Sequence, residues 1–272
     1  MRRTLAAGGL VLVSCSPASG TWSVMAVDQK RGTIVVASAA CLAPQDLAGL
    51  HAKDLMEIEA IVVPGQAVAV AQGSFDSTRE TQKLIYAELV KGTHPEQILE
   101  MILRQDPGVG MRQVAMLAVE GRRAGFTGPA TSVIAAHDQG QVGGTEIWYS
   151  VQGDNFPTDE VVPAAVQALT DHKEDLAERV MTAMEAIDAK GGDRRCSCAS
   201  EPKPSTACET RTAHVAYMLR ADKSDSNRES YNDGRYAMYL SVSGEHSKPN
   251  DNANPVKTLR LRYDEWKRTR PN

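Results

Sequence analysis

The chain has 272 residues, 42% of them hydrophobic, 24% charged and 5% aromatic, with a formal net charge of −4. This composition suffices for a buried core and excludes a disordered chain, a disulfide-only mini-protein and a collagen-like repeat. The acidic balance leaves no basic surplus to neutralise phosphates, so no nucleic-acid partner is expected. No run of 18 or more apolar residues is present, so no transmembrane helix is predicted.

The first twenty residues form a separate unit. Met1-Arg2-Arg3 is positive, Leu5–Val13 is an apolar run of nine residues, and Ser14–Gly20 is small and polar. This layout predicts an export leader over 1–20 and a periplasmic, cell-surface or extracellular protein. Two ends of the leader are open. Leu12-Val13-Ser14-Cys15 has the pattern of a bacterial lipobox, which would make Cys15 a lipid anchor. Ala18-Ser19-Gly20 has the small-x-small pattern of ordinary signal cleavage, which would make Thr21 the first residue.

Five cysteines are present. With Cys15 assigned to the leader, Cys41, Cys196, Cys198 and Cys208 remain, an even set suited to two disulfides in an exported chain. Cys196 and Cys198 are too closely spaced for an easy mutual bridge, so each is expected to pair elsewhere, with Cys208 and with Cys41. Cys196, Cys198, Cys208 and His214 also offer a zinc-type donor set, which neither the spacing nor the expected compartment favours. No metal or cofactor is predicted.

Along the remaining chain, Trp22–Val27 and Gly32–Ser38 are rich in β-branched residues around a polar break and predict a hairpin. Ile58–Val63 and Ala67–Gln72 flank Pro64-Gly65 and predict two more strands. Apolar spacing then shifts to three and four residues, giving helices over Thr78–Lys91 and Pro95–Arg104. Gln113–Val119, Ala124–Thr127 and Ile147–Val151 return to strand character, the last entering the loop Gln152-Gly153-Asp154-Asn155. Helices follow over Asp159–Leu169 and Leu176–Ala189, the second stopped by Gly191-Gly192. Residues 196–211 form a polar excursion with Pro202 and Pro204. Strands over Ala213–Leu219 and Tyr236–Val242 precede a helix from Val256 to Lys267, introduced by Asn254-Pro255.

Adjacent strands alternate with helix pairs, without strict βαβ alternation or a glycine-rich nucleotide fingerprint. An α+β fold follows: a four-layer αββα sandwich of antiparallel sheets in one domain, residues 21–272, with a Cys-containing insertion near 196–211. The histidines, His51, His94, His137, His172, His214 and His246, are scattered, and no nucleophile-elbow sequence accompanies them.

Thr21-Trp22-Ser23-Val24-Met25-Ala26-Val27-Asp28 resembles the Thr-Phe-Ser-Ile-Val-Ala-x-Asp start of domain-of-unknown-function family 1028, which is placed with the N-terminal-nucleophile hydrolases. Val36-Ala37-Ser38, Val68–Gln72, Asp106-Pro107, Arg112-Gln113-Val114, Thr127-Gly128, Val151-Gln152-Gly153, Gly191–Arg195 and Asn254-Pro255-Val256 resemble that family in the same order. The chain has Ser38-Ala39 where the family often has Ser-Lys, and Asp154-Asn155 where it commonly has a single Asn after Gln-Gly.

The resemblance implies an αββα sandwich and an amidohydrolase acting on a small amide or peptide-like bond. Its nucleophile would be Thr21, whose own α-amine serves as base once Gly20 is removed. Catalytic candidates are then Thr21, Ser38, Asn155 and Asp193, and the substrate is expected to meet Gln72, Gln152, Asp154 and Arg194. Asn155 or Asp154 would supply or orient an oxyanion donor, and Arg194 and Arg195 can clamp a carboxylate. The plainer readings are a strand threonine at a processing site, ordinary strand serines at Ser23 and Ser38, a turn at Asp154-Asn155 and solvated arginines. They would suit a non-catalytic surface protein that uses the fold for binding or self-assembly, including as a homo-oligomer.

Overall fold

Two runs of β-branched and small residues, TWSVMAVD and TIVVASAA, become strands β1 (Thr21–Asp28) and β2 (Thr33–Ala40), with every residue of both buried. Gly32 closes the turn between them at φ +65°, a conformation that favours glycine. The computed structural model describes residues 20–243 and 248–270. Residues 1–19 of the expected leader, Cys15 among them, therefore lie outside the described residues, as does His246.

Burial on both faces puts this hairpin at the centre of a six-stranded sheet, with the order β10-β9-β2-β1-β8-β7. Its other strands are β7 (Ala136–Gln141), β8 (Ile147–Gly153), β9 (Val215–Ala221) and β10 (Met238–Val242). A second sheet has the order β3-β4-β5-β6, from β3 (Ala60–Val63), β4 (Ala67–Gly73), β5 (Arg112–Ala118) and β6 (Arg123–Thr127). All neighbouring strands in both sheets run antiparallel.

The period-2 alternation of β1 and β2 assigns their faces. Met25, Val27, Ile34 and Val36 pack with Val68, Val70, Ala115 and Leu117 of the second sheet. Trp22, Val24, Val35 and Ala37 pack instead under helices α5 (Val161–Asp171), α6 (Leu176–Ala189) and α7 (Pro255–Thr269). The outer face of the second sheet, with Ile61, Ala69, Val114 and Met116, is covered by Ile85 and Leu89 of α3 (Glu80–Val90) and Ile98 and Ile102 of α4 (Pro95–Gln105). The layers are α, β, β, α, as the sequence predicts.

The local differences have identifiable causes. Asp54 caps a short helix, α2 (Leu55–Glu59), by accepting from the Glu57 amide, so Ile58 and Glu59 are helical and β3 begins at Ala60. Another short helix, α1 (Pro44–Gly49), follows β2 in a segment without a predicted element. Strand β7, Ala-His-Asp-Gln-Gly-Gln, lacks β-branched residues and is half exposed at the sheet edge; its register on β8 makes it a strand. No described helix is long and apolar enough to cross a membrane.

Candidate active site

Thr21 opens β1 and is wholly buried. Its amide donates to Asp154 Oδ1 at 2.9 Å. Its carbonyl accepts from Gln72 Nε2 at 2.8 Å and from the Asp154 amide at 3.1 Å. Strand β8 runs antiparallel to β1, so its exit delivers Gly153-Asp154-Asn155 to the start of β1. Asn155 holds φ +57°, a left-handed conformation that Asn adopts more readily than most residues. Its amide donates to Ser132 Oγ, and its Nδ2 lies 3.3 Å from Asp154 Oδ2. Burial pushes the Asp154 carboxyl up to about 6, against the opposing pull of the Thr21 N–H and the Arg195 charge.

A second wall comes from the end of α6. Gly191 and Gly192, at φ +99° and +48°, turn the chain sharply out of the helix. Asp193 follows, fully buried and gripped by Arg195, with Nη2 to Oδ2 at 2.6 Å and Nε to Oδ1 at 3.0 Å. This bidentate pairing offsets the cost of a buried carboxylate. The pair presses directly on Gly20: a Cβ there would collide with Asp193 Oδ2, Arg195 Nη2 and Asn155 Nδ2. Gly20 is thus required by close approach of charged groups to the backbone bond ahead of Thr21.

Below Thr21 a polar cluster occupies the space between the sheets. Gln72 Nε2 also meets Gln113 Oε1 at 3.0 Å, and Gln113 Nε2 donates to the Gly153 carbonyl at 3.0 Å. Two glutamines of the second sheet thereby anchor both β1 and the β8 exit. Ser23 Oγ donates to Gln72 Oε1 and lies 3.2 Å from Ser38 Oγ, which donates to the Trp22 carbonyl at 2.7 Å. Glu59 is wholly buried beside Ser38 and Tyr217, yet neither carboxyl oxygen makes a hydrogen bond of normal geometry. Burial raises its pKa to about 8, so it carries a proton at neutral pH.

The structure therefore brings together Thr21, Asp154, Asn155 and Asp193. Ser38 and Gln72 lie in the layer beneath, with Gln72 bonded to Thr21 itself. Gln152, opposite Ser23 in the register, is buried with both amide atoms unpartnered. Arg194 is exposed and contributes its backbone N–H to the Asn155 carbonyl at 3.0 Å; Arg195 is the arginine that enters the cluster. Gln113 and Glu59 are not identified as site residues by sequence reasoning. Gln113 stands within a quoted family match, but Glu59 carries no sequence signal.

The cysteines pair as Cys41–Cys196 and Cys198–Cys208. The first bridge borders the site, because the Cys41 amide donates to the Gly20 carbonyl at 3.3 Å and the Cys196 amide to the Asp193 carbonyl at 3.0 Å. These pairings dismantle the Cys196, Cys198, Cys208 and His214 donor set. Cys41, Cys196 and His214 do bring ligand atoms within 4.8 Å of one another, but the two sulfurs are bonded together and are not thiolates. A cavity of about 600 Å³ beside α3, lined by Asp106 and Arg112, does not touch Thr21.

Residues 21–229 match the family of unknown function DUF1028, beginning at the threonine around which this site is built. The chain belongs to that family. The crystal structure of protein SPO2555 from Silicibacter pomeroyi, a DUF1028 protein, is similar with a TM-score of 0.64 and 19% identity. The likeness covers 91% of this chain and 86% of that one, and at this identity it establishes a shared fold. A search of curated proteins finds no match.

Proposed function

We propose that this DUF1028 protein is an exported amidohydrolase of the N-terminal-nucleophile type, with Thr21 as nucleophile. The observation that carries this reading is the environment of one backbone bond. Thr21 N lies 2.9 Å from Asp154 Oδ1, while Asp193 and Arg195 pack against Gly20 immediately before it. An ordinary strand threonine has no need of two buried carboxylates and a guanidinium around the bond that precedes it.

The leader over 1–20 sends the chain out of the cytoplasm, where the disulfides form. In the uncleaved chain Thr21 Oγ1 attacks the Gly20 carbonyl carbon, whose oxygen accepts from the Cys41 amide at 3.3 Å. That contact also continues the β1–β2 ladder. An O–C bond forms, the Gly20–Thr21 C–N bond breaks, and the nitrogen takes up a proton. Water then hydrolyses the ester, releasing the leader as a carboxylate and leaving a free α-amine.

The amine occupies the place of the present amide, with Asp154 as its acceptor. Alone, that carboxylate would hold the amine protonated; the Arg195 guanidinium counterbalances it. The neutral amine takes the Thr21 hydroxyl proton as Oγ1 attacks a small amide or peptide-like bond, and Asn155 Nδ2 stands beside the emptied Gly20 position as an oxyanion donor.

Complete burial of Thr21 and Gly20 in the uncleaved chain also suits a second reading, a non-catalytic exported protein using the same scaffold for binding or self-assembly. One experiment separates the two. Protein starting at Thr21 is incubated with a library of small amides and peptides, alongside Thr21→Ala and Thr21→Ser. The hydrolase reading expects turnover that Ala abolishes and Ser retains. Turnover equal in wild type and Thr21→Ala refutes it.

A further inference from the structure

A cavity of about 270 Å³ lies between the 196–211 excursion and the start of α7. Its wall includes Lys203, Arg211, His214 and Lys248, with Asp251 as the acidic member among the described residues. In a chain of net charge −4, this is a local reversal of sign.

Among the described residues these cations have few partners. Arg211 donates through Nη1 to the Pro202 carbonyl, makes no ion pair among the described residues, and has its Nε buried without a partner. Lys248 likewise makes no ion pair among the described residues, and Lys203 has only Glu201 at 3.9 Å. The Asp251 charge is held elsewhere: its Oδ2 meets Arg262 Nη2 at 2.6 Å and accepts from the Lys248 amide at 2.7 Å. His214 Nδ1 is also buried without a partner. Asn252, Ala253 and Pro255 place the positive end of α7, a helix of 15 residues, at the same cavity.

Unpaired buried donors are costly and call for an acceptor. With Nη1 engaged, Nη2 of Arg211 makes no hydrogen bond among the described residues and remains to donate to an anion. We propose that this cavity is a binding site for a small oxyanion, a carboxylate or phosphate group, held by Arg211 with Lys248 and Lys203, with His214 in its wall. Its volume lies just below the roughly 300–1,000 Å³ of common small-molecule pockets, so the ligand is small. Burial and the Arg211 charge lower the His214 pKa to about 4, so the ring is neutral, with its Nε2 3.3 Å from Ser200 Oγ. The His214 amide donates to the Ala40 carbonyl at 2.8 Å, and its ring stands against the bridge beside Gly20. Occupancy can therefore be felt near the Thr21 site, but the proposal does not depend on Thr21 being a nucleophile.

The test uses the full-length, disulfide-intact protein with labelled histidine, titrated with sodium phosphate or sodium succinate and followed by NMR. The His214 ring signal is assigned by its loss in His214→Asn. The expected result is a saturable shift of that signal with a midpoint on the order of 1 mM or tighter, not reproduced by sodium chloride at matched ionic strength. Preference for phosphate identifies a phosphoryl ligand, and preference for succinate a carboxylate. Arg211→Gln is expected to weaken binding at least about tenfold. Should Arg211→Gln fail to form both disulfides, the exposed double variant Lys203→Ala/Lys248→Ala provides the comparison, with a several-fold loss expected. No saturable shift with either anion, or affinity unchanged in the folded variant, would overturn the proposal.

Discussion

Replacing Glu59 by glutamine separates protonation from shape at the buried centre of the sheet interface. The wild-type carboxyl is wholly buried, and its pKa rises from 4.5 in the unfolded chain to about 8 in the fold. Between those values the folded state holds a proton that the unfolded state has lost. Stability therefore falls as pH rises through this window, at about 1.4 kcal/mol per pH unit, and levels off above about 8. From pH 5 to pH 8 the accumulated loss is roughly 3 to 4 kcal/mol. Glutamine keeps the shape but cannot titrate, so Glu59→Gln removes this slope; the cost of a buried amide shifts its curve equally at every pH. Urea unfolding of both proteins at pH 5, 6, 7 and 8 measures the difference, with the other titrating groups common to both. Parallel stability profiles would refute the reasoning and mean that Glu59 is ionised, or reached by water, in the native state.

Asp154→Asn removes the carboxylate that meets the Thr21 nitrogen, and leader release followed by intact mass should slow by about 10- to 100-fold, the equivalent of one charge-assisted hydrogen bond. In wild type, release should fall as pH drops through about 6, where Asp154 gains its proton, and this dependence should vanish in the variant. Gly20→Ala forces a Cβ into Asp193, Arg195 and Asn155; an overpacking cost of about 1–3 kcal/mol and loss of leader release are expected, read by thermal unfolding and mass. Cys41→Ala/Cys196→Ala opens a bridge of sequence separation 155, against 10 for the other pair. It should cost about 2–5 kcal/mol in urea unfolding, more than Cys198→Ala/Cys208→Ala, because the longer loop constrains the unfolded chain more.

The parts of the fold with strong local pattern are legible in the sequence. The β1–β2 hairpin follows from β-branched runs around a polar turn, and α6 from its spacing and the Gly191-Gly192 stop. Strand β7 is not legible, because its polar residues become a strand only by pairing with β8. The Ile58–Val63 run hides the helix end of α2, whose cap, Asp54, outweighs β-propensity at Ile58. At the site, the family-like start marks Thr21, and the loop positions of Asp154, Asn155 and Asp193 mark them for attention. Distinguishing Arg195 from Arg194 requires the path of the chain after two left-handed glycines. Glu59 and Gln113 gain their meaning from neighbours far away in sequence: Ser38 and Tyr217 for the first, Gln72 and Gly153 for the second.

The central claim is that the working chain begins at Thr21. Intact mass and N-terminal sequencing of the wild-type protein and Thr21→Ala, both recovered from the envelope or medium of a bacterium expressing the full chain, test it most directly. The expected result is a wild-type chain starting with an unmodified Thr21, with Thr21→Ala retaining residues ahead of position 21. A wild-type chain that keeps a lipidated Cys15 as its mature first residue would contradict it.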